Sequence, residues 1–379
     1  MSDPVSLPNG DASSGPSRLR EDAVLFQVTE KTLQRLLGWI RRGLTWATVG
    51  YVVGLCLLLL SLEWWGERFW LFSVVLYAPI QTCLLPLLVL TPACLLFRRK
   101  LVWGHLFAAI VLIFGYMTFR WHFVPPIRGS EVKAITFNYG ESNRAQFMSF
   151  LEAEKPDLLL LQDARGRGAD FVTKIPGMYA SDLDQFAFLS KFPIEKAAIV
   201  SEVEAEGQPV AARYEVEIGG RVIAIYSVHL PTPRSQLSRF LGGRRILGDL
   251  VGHGKRAPAY GNYREWVQAR IQLAQALAKV LAEEKLPMIV GGDFNTPDHG
   301  YIYHLFAGEM TDAFPHAGRG WGLSFPGSTH NPISFFGPWL RIDYFFAGHG
   351  WHVTECRPEP GQKSQHKAVM ARFEPQPLS

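Results

Sequence analysis

Three long stretches of this 379-residue chain carry no Asp, Glu, Lys or Arg: Gly43–Leu62, Phe69–Phe97 and Leu101–Phe119. A bilayer core asks for about 20 consecutive, mostly apolar residues in a helix, and each stretch is long enough to supply them. No other feature restricts the fold as strongly, because inside hydrocarbon every backbone N–H and C=O must be satisfied within the protein. The first apolar run begins only at residue 43, unlike a cleaved leader, so three membrane helices are expected. Trp64, Trp65 and Trp70 crowd the turn between the first two, and Trp121 follows the third, where headgroup-level aromatics belong. Pro79, Pro86 and Pro92 make the second stretch the least regular, either kinked or re-entrant.

Lys31, Arg35, Arg41 and Arg42 precede the first stretch, and Arg98, Arg99 and Lys100 separate the second from the third. The other side carries fewer cations: Arg68, then Arg120, Arg128 and Lys133. The bias places the N-terminus inside and the long C-terminal part outside, in an inner or plasma membrane, provided that the number of crossings is odd. The organisation read from this is a Ser/Pro/Gly-rich tail over 1–22, a membrane anchor over 23–123, a stiff linker over 124–132 and a folded domain over 133–379. Cys56, Cys83 and Cys94 lie in the apolar stretches and only Cys356 in the soluble part, so no internal disulfide is available there. A formal net charge of +4 is too small to argue for nucleic acid. Oligomeric state is not legible.

From Lys133 onward the pattern alternates. KAITFNYG reads as a strand ending at Asn138, NRAQFMSFLEAE as a helix, and PDLLLLQD as a buried strand ending at Asp163. FAFLSKFPI is a strand and turn, and AARYEVEIGGRVIAIYSVHL a hairpin with a Gly-Gly turn ending at His229. EWVQARIQLAQALAKVLAEE has apolar residues at helical spacing and leads into MIVGGDFN, with Asp293 and Asn295 at its end. RIDYFFAG and HKAVMARFE place Asp343 and His366 at strand starts. In an antiparallel-rich sheet, alternate starts and ends share one rim, so seven polar groups could meet at one site. Taken singly, each has an ordinary reading as a turn, cap or surface pair: GGDFNTPD is also a good strand-ending turn, and Asp343 could pair with Arg341.

Taken in order, TFNYG, LLLLQDA, LSKFPI, YSVHLP, GGDFNTPD, RIDYFF and SQHKAV resemble the endonuclease/exonuclease/phosphatase superfamily, over Lys133 to about Phe373 and none of the membrane segment. The resemblance implies an α/β fold, a four-layer α-β-β-α sandwich, here preceded by a bundle of about three transmembrane helices. It also implies Mg²⁺ (with Mn²⁺ as an alternative) at Asp163, with Asn138 close by. Asp293 would orient or activate the attacking water, and Asn295 and His229 would donate to the phosphoryl group. His366 would contact the phosphate, with its other nitrogen fixed by Asp343. Such residues suit the chemistry: hard divalent cations take oxygen ligands, and phosphoester attack needs neutralised phosphoryl oxygens and an activated water.

Two positions depart from the family's pattern. Asp163 stands where Glu is usual, shortening the carboxylate's reach by about 1.5 Å. Ser364-Gln365-His366 replaces the usual Ser-Asp-His, and Gln365 cannot act as a base, which favours one metal over two. The stretch 231–264 carries Arg234, Arg239, Arg244, Arg245, Lys255, Arg256 and Arg264 among Leu and Phe, suited to an anionic headgroup or a nucleic-acid backbone. The expectation is a membrane-anchored, metal-dependent phosphohydrolase acting on a phosphodiester or phosphomonoester, with a lipid headgroup as one candidate. A metal-dependent nuclease and a weakened, binding-only member of the fold are the alternatives.

Overall fold

A computed structural model describes residues 16–123, 129–140, 144–237, 259–327, 337–361 and 365–376. Linker residues 124–128, Ser364 and residues 238–258, which include Arg239, Arg244, Arg245, Lys255 and Arg256, lie outside them. The N-terminal part forms α1 (Pro16–Trp64), α2 (Trp70–Leu76), α3 (Leu85–Phe97) and α4 (Val102–Ile110). The chain divides into two compact units, Met1–Leu55 with Leu84–Ala109, and Cys56–Cys83 with Ile110–Ser379.

In the first unit three helices meet at a buried polar fork. His105 reaches Thr48 Oγ1 through Nε2 (3.0 Å) and Thr91 Oγ1 through Nδ1 (3.1 Å), so one imidazole joins α1, α3 and α4. Satisfying both ring nitrogens between helices is what an apolar surrounding requires of an imidazole. Three helical stretches are long and apolar enough to cross a membrane: Thr29–Trp64, Ile80–Phe97 and Arg99–Tyr116. The second is shorter than the uncharged stretch in the sequence. Phe69–Tyr77 instead folds with the second unit, where Trp70 and Val74 pack against a buried core. Pro79, unable to continue a helix from the residues before it, falls at the break.

The second unit holds two six-stranded sheets. The strands of these two sheets are β1 (Val132–Asn138), β2 (Leu158–Gln162), β3 (Tyr179–Leu183), β4 (Phe186–Ser190), β5 (Ile194–Ile199), β6 (Ala211–Ile218), β7 (Arg221–His229), β8 (Met288–Asp293), β9 (Thr311–Asp312), β10 (Asp343–Ala347), β11 (Trp351–Pro358) and β12 (Val369–Pro375). One sheet runs β11-β12-β1-β2-β4-β3, the other β9-β10-β8-β7-β6-β5. Leu158, Leu160, Phe186 and Phe188 of the first sheet meet Tyr214, Val216, Ile225 and Phe345 of the second in one buried core. Outside the first sheet lie α5 (Arg144–Glu154) and α6 (Gly168–Lys174), which contribute Phe147, Leu151 and Phe171 to a second core. Outside the other lies α7 (Ala259–Ala282), burying Val267, Ile271, Ala274 and Leu277, followed in the chain by α8 (Tyr301–Ala307) and α9 (Ala313–Ala317). This is the four-layer α-β-β-α sandwich.

Most neighbours are antiparallel, but each sheet contains one parallel pair, β1/β2 and β7/β8, connected through α5 and α7. A parallel pair delivers two strand ends to the same rim. Asn138 is thereby in register with Gln162, and His229 with Asp293. The antiparallel partner β10 brings its start to the same place, with Asp343 opposite Asp293. Buried on both faces, β2 reads as an uninterrupted Leu run, as parallel interior strands do.

Glu284, just beyond α7, pins the edge of this unit. Its Oε2 accepts from Arg213 Nε (2.7 Å) and Tyr226 OH (2.8 Å), and its Oε1 from the amides of Lys285 and Leu286. Burial alone would raise its pKa, but Arg213 and these donors overcome that and hold it down to about 2. A carboxyl whose folded pKa is depressed stabilises the protein above its unfolded value and loses that contribution as pH falls through the folded one. Glu284→Gln should therefore lower the melting temperature at pH 7 by about 3–6 °C. The gap to wild type should close between about pH 4.5 and 2, as seen in thermal melts across that range.

Candidate active site

All seven polar residues expected from the sequence arrive at one rim, and Asp293 is their hub. Gly292, with φ of +154°, allows the strand to end there, since a Cβ would stand 1.9 Å from Val228 O. Only glycine accepts that approach. Asp293 is fully buried and accepts from Asn138 Nδ2 (2.9 Å) and Asn295 Nδ2 (3.1 Å) at Oδ2, and from the Asn295 amide (2.9 Å) at Oδ1. Two imidazoles flank the same oxygen, with His229 Nε2 and His366 Nε2 each 3.7 Å from Oδ2. That spacing is too long for direct hydrogen bonds.

The histidines are held from behind. His366 Nδ1 lies 3.1 Å from Asp343 Oδ2, and the Asp343 and Ile342 amides both donate to Ser324 Oγ at 3.2 Å. Burial would lower the His366 pKa, but the carboxylates of Asp343 and Asp293 outweigh it and lift it to about 9. Burial pushes Asp343 upward, against the pull of the facing imidazolium. Near neutral pH the two carboxyl groups hold the proton on His366. Arg341 does not compete for Asp343: it is engaged with Asp298 (3.1 Å) and Asp312 (2.7 Å). His229 Nδ1 is paired with Gln185 Oε1; with that oxygen accepting, the hydrogen sits on Nδ1 and Nε2 faces Asp293.

Asp163 sits at the margin. Its side chain is 45% exposed, and its Oδ1 is 3.9 Å from His229 Nδ1. Asn138 Oδ1 accepts from the Gly140 amide (3.1 Å), and Gly140 packs directly on the Asp163 carboxylate, so Asp163 and Asn138 are neighbours. Asp163 and Asn295 both have left-handed backbones (φ +52° and +50°), a conformation Asp and Asn tolerate better than most side chains. Among the described residues, the acidic and histidine group tight enough to hold an ion is Asp293, Asp343 and His366, with ligand atoms within 4.8 Å of one another.

Several supporting residues escape sequence reasoning. Gln162 joins the two sheets behind the site, donating to Thr136 Oγ1 (3.1 Å) and Ser227 Oγ (3.0 Å). A visible hint is that Gln162 continues the inward face of Leu158 and Leu160. Gln185 and Ser324 carry no local signal at all. Arg270 does: it interrupts the apolar stripe of Tyr263, Val267, Ile271 and Ala274 on α7 and is 4% exposed. A lone cation on a buried helix face needs partners. Of the basic stretch, Arg234 and Arg264 are described: Arg234 Nη2 donates to Gln365 Oε1 (3.1 Å), and Arg264 is exposed on α7.

Two packed sheets between helical layers, with Asp, Asn and His converging at one rim, are the architecture of phosphoester-processing sandwiches. The chain belongs to the endonuclease/exonuclease/phosphatase family, whose family model matches residues 135–366. Similar solved structures include a family protein from Leptotrichia buccalis, 13% identical, covering 64% of this chain and 99% of that one, with a TM-score of 0.45. Another is a mannosyl-6-phosphatase of Bacteroides thetaiotaomicron (15% identical, 64% and 99% covered, TM-score 0.44). A third is the human Nocturnin catalytic domain with bound sulfate (15%, 65% and 95%, TM-score 0.43). No curated protein matches the chain in sequence.

Proposed function

We propose that the protein is a membrane-anchored, divalent-metal-dependent phosphohydrolase that cleaves a phosphodiester or phosphomonoester, with a lipid headgroup as one candidate substrate. The observation that carries this is the buried Asp293 carboxylate, held by two carboxamides and faced by two imidazoles at equal distance. Such a carboxylate is fixed in orientation, with Oδ2 facing both histidines. It can accept a proton from a water placed there as the water oxygen bonds to phosphorus and the P–O bond to the leaving group breaks.

His366, charged below about pH 9, donates from Nε2 to a phosphoryl oxygen, while Asp343 fixes its ring and sustains its charge. His229 lines the opposite side; Asn295, expected from the sequence to donate to the phosphoryl group, has both amide hydrogens on Leu230 O and Asp293 Oδ2 and positions the carboxylate instead. For the cation, the all-oxygen pair of Asp163 and Asn138 fits Mg²⁺, with Mn²⁺ as the alternative. The Asp293/Asp343/His366 group is tighter, but its imidazolium would repel a second positive charge. When bound, Mg²⁺ neutralises phosphoryl charge and helps template the substrate.

The three long apolar helices favour membrane attachment, and the Lys/Arg bias favours an extracytoplasmic catalytic domain. The test is a panel of phosphodiesters, phosphomonoesters and lipid headgroups offered to the full chain in nanodiscs with Mg²⁺. Release of phosphate or a phosphorylated headgroup that stops on chelation is the expected result. Turnover that survives chelation overturns the metal assignment. Cleavage confined to DNA or RNA, with steep salt dependence, would make it a nuclease instead. Ligand binding without any product would make it a scaffold.

A further inference from the structure

We infer that the segment between the first two apolar spans is a working part of the active centre, with Tyr77 and Arg270 as positioning residues for the Asp293–Asn295 turn. The inference rests on the phosphohydrolase reading for its kinetic consequence only. Arg270 Nε donates to Pro231 O (3.1 Å), two residues past His229. Its Nη2 reaches Phe294 O (3.1 Å), Asn295 O (2.7 Å) and Thr296 Oγ1 (3.1 Å). One rigid, five-donor fork thus ties the end of β7 to the turn that follows β8. Nη1 donates to Tyr77 OH (2.8 Å), and that hydroxyl in turn donates to Asn295 O (3.0 Å).

Asn295 is the residue with most need of such support. Its backbone is left-handed, its carbonyl takes both Arg270 and Tyr77, and its carboxamide holds Leu230 O (2.9 Å) and Asp293 Oδ2 (3.1 Å). A rotation there moves the carboxylate hub directly. The inter-span segment also supplies charge. Glu67, 2% exposed, accepts from Thr296 Oγ1 (3.4 Å), so a buried carboxylate stands one hydroxyl away from the buried guanidinium. Without it the cation of Arg270 would be held by neutral carbonyls and hydroxyls, a costly state.

The seat is built to fit: a Cβ on Gly300 would come within 2.6 Å of Glu67 Oε1. An ordinary packing contact would need neither the phenol hydroxyl nor the carboxylate. Here the hydroxyl is spent on the Asn295 carbonyl and the Arg270 guanidinium, and the carboxylate on the Thr296 hydroxyl beside them and the Ile302 amide.

Tyr77→Phe, which removes one oxygen, tests this in the full chain in nanodiscs, beside Ser73→Ala. Ser73 bonds Tyr263 OH (2.9 Å) from the same segment but does not reach the turn. Amide exchange of the 290–298 peptide should quicken about tenfold in Tyr77→Phe, with helix α7 unchanged. kcat should fall about tenfold at unchanged KM, since the turn is displaced rather than removed. Ser73→Ala should do neither. Unchanged exchange at 290–298, or faster exchange with unaltered kcat, overturns the inference. If wild type turns over no phosphoester, the exchange arm still decides whether Tyr77 holds the turn, and the failure belongs to the phosphohydrolase reading.

Discussion

Asp293→Asn should lower kcat by about 10³-fold or more, with KM little changed. The carboxylate has two tasks that an amide cannot share. Its Oδ2 accepts from Asn138 and Asn295 side chains while its Oδ1 accepts the Asn295 amide. If the new amide oxygen keeps the two carboxamide donors, its NH₂ must point at a backbone N–H, and two donors then oppose each other. The turn shifts, and no base remains beside the two imidazoles. Burial makes both losses larger than they would be in water. Steady-state kinetics on whichever substrate the panel identifies, with circular dichroism to check folding, measures this. A variant retaining a tenth of wild-type activity would remove Asp293 from the chemistry.

Asp343→Asn should cost about 10²–10⁴-fold in kcat and reshape its pH dependence. Asp343 is what keeps the His366 ring oriented, through Nδ1 at 3.1 Å, and charged up to about pH 9. A His whose folded pKa is raised is charged below that value and loses the proton as pH passes through it. Removing the neighbouring carboxylate lets burial dominate, so the pKa falls. The alkaline limb of the profile should move to lower pH, and residual activity should be greatest on the acid side. The substituted carboxamide, being both donor and acceptor, would also present either tautomer with a partner, freeing the ring to face Asp293 with the wrong nitrogen protonated. A pH–rate profile of equal shape in both proteins would show that Asp343 only packs. Part of the loss should appear as reduced stability below pH 9, where the charge pair contributes, and thermal melts at pH 7 and 10 would separate the two effects.

The reading from sequence reached furthest where the information is local. Asn138, His229 and Asp293 end apolar strands, and alternation or apolar runs marked those strands without help from distant residues. Their shared rim followed from topology, although the structure adds that two parallel pairs, not antiparallel alternation alone, deliver it. The limits of the second apolar stretch were less legible. Hydropathy cannot distinguish residues buried in lipid from those buried in protein, and Trp70 and Val74 are of the second kind. Gln185 and Ser324 were invisible for another reason: neither type nor spacing marks a residue whose whole role is to meet one nitrogen or one amide across the fold.

What the sequence by itself determined is therefore the inventory: three stretches fit for a membrane, a sandwich of the right strands, and seven polar groups in a family's order. Hydrophobic periodicity and turn chemistry act within a few residues, so they can be read along the chain. Tertiary structure alone decided which of those groups touch, that Asp293 is the hub, and that Tyr77 reaches Asn295 across 218 positions of sequence. Hydrogen bonds of that kind depend on ångström distances between residues with no local relation, and only the folded chain fixes them.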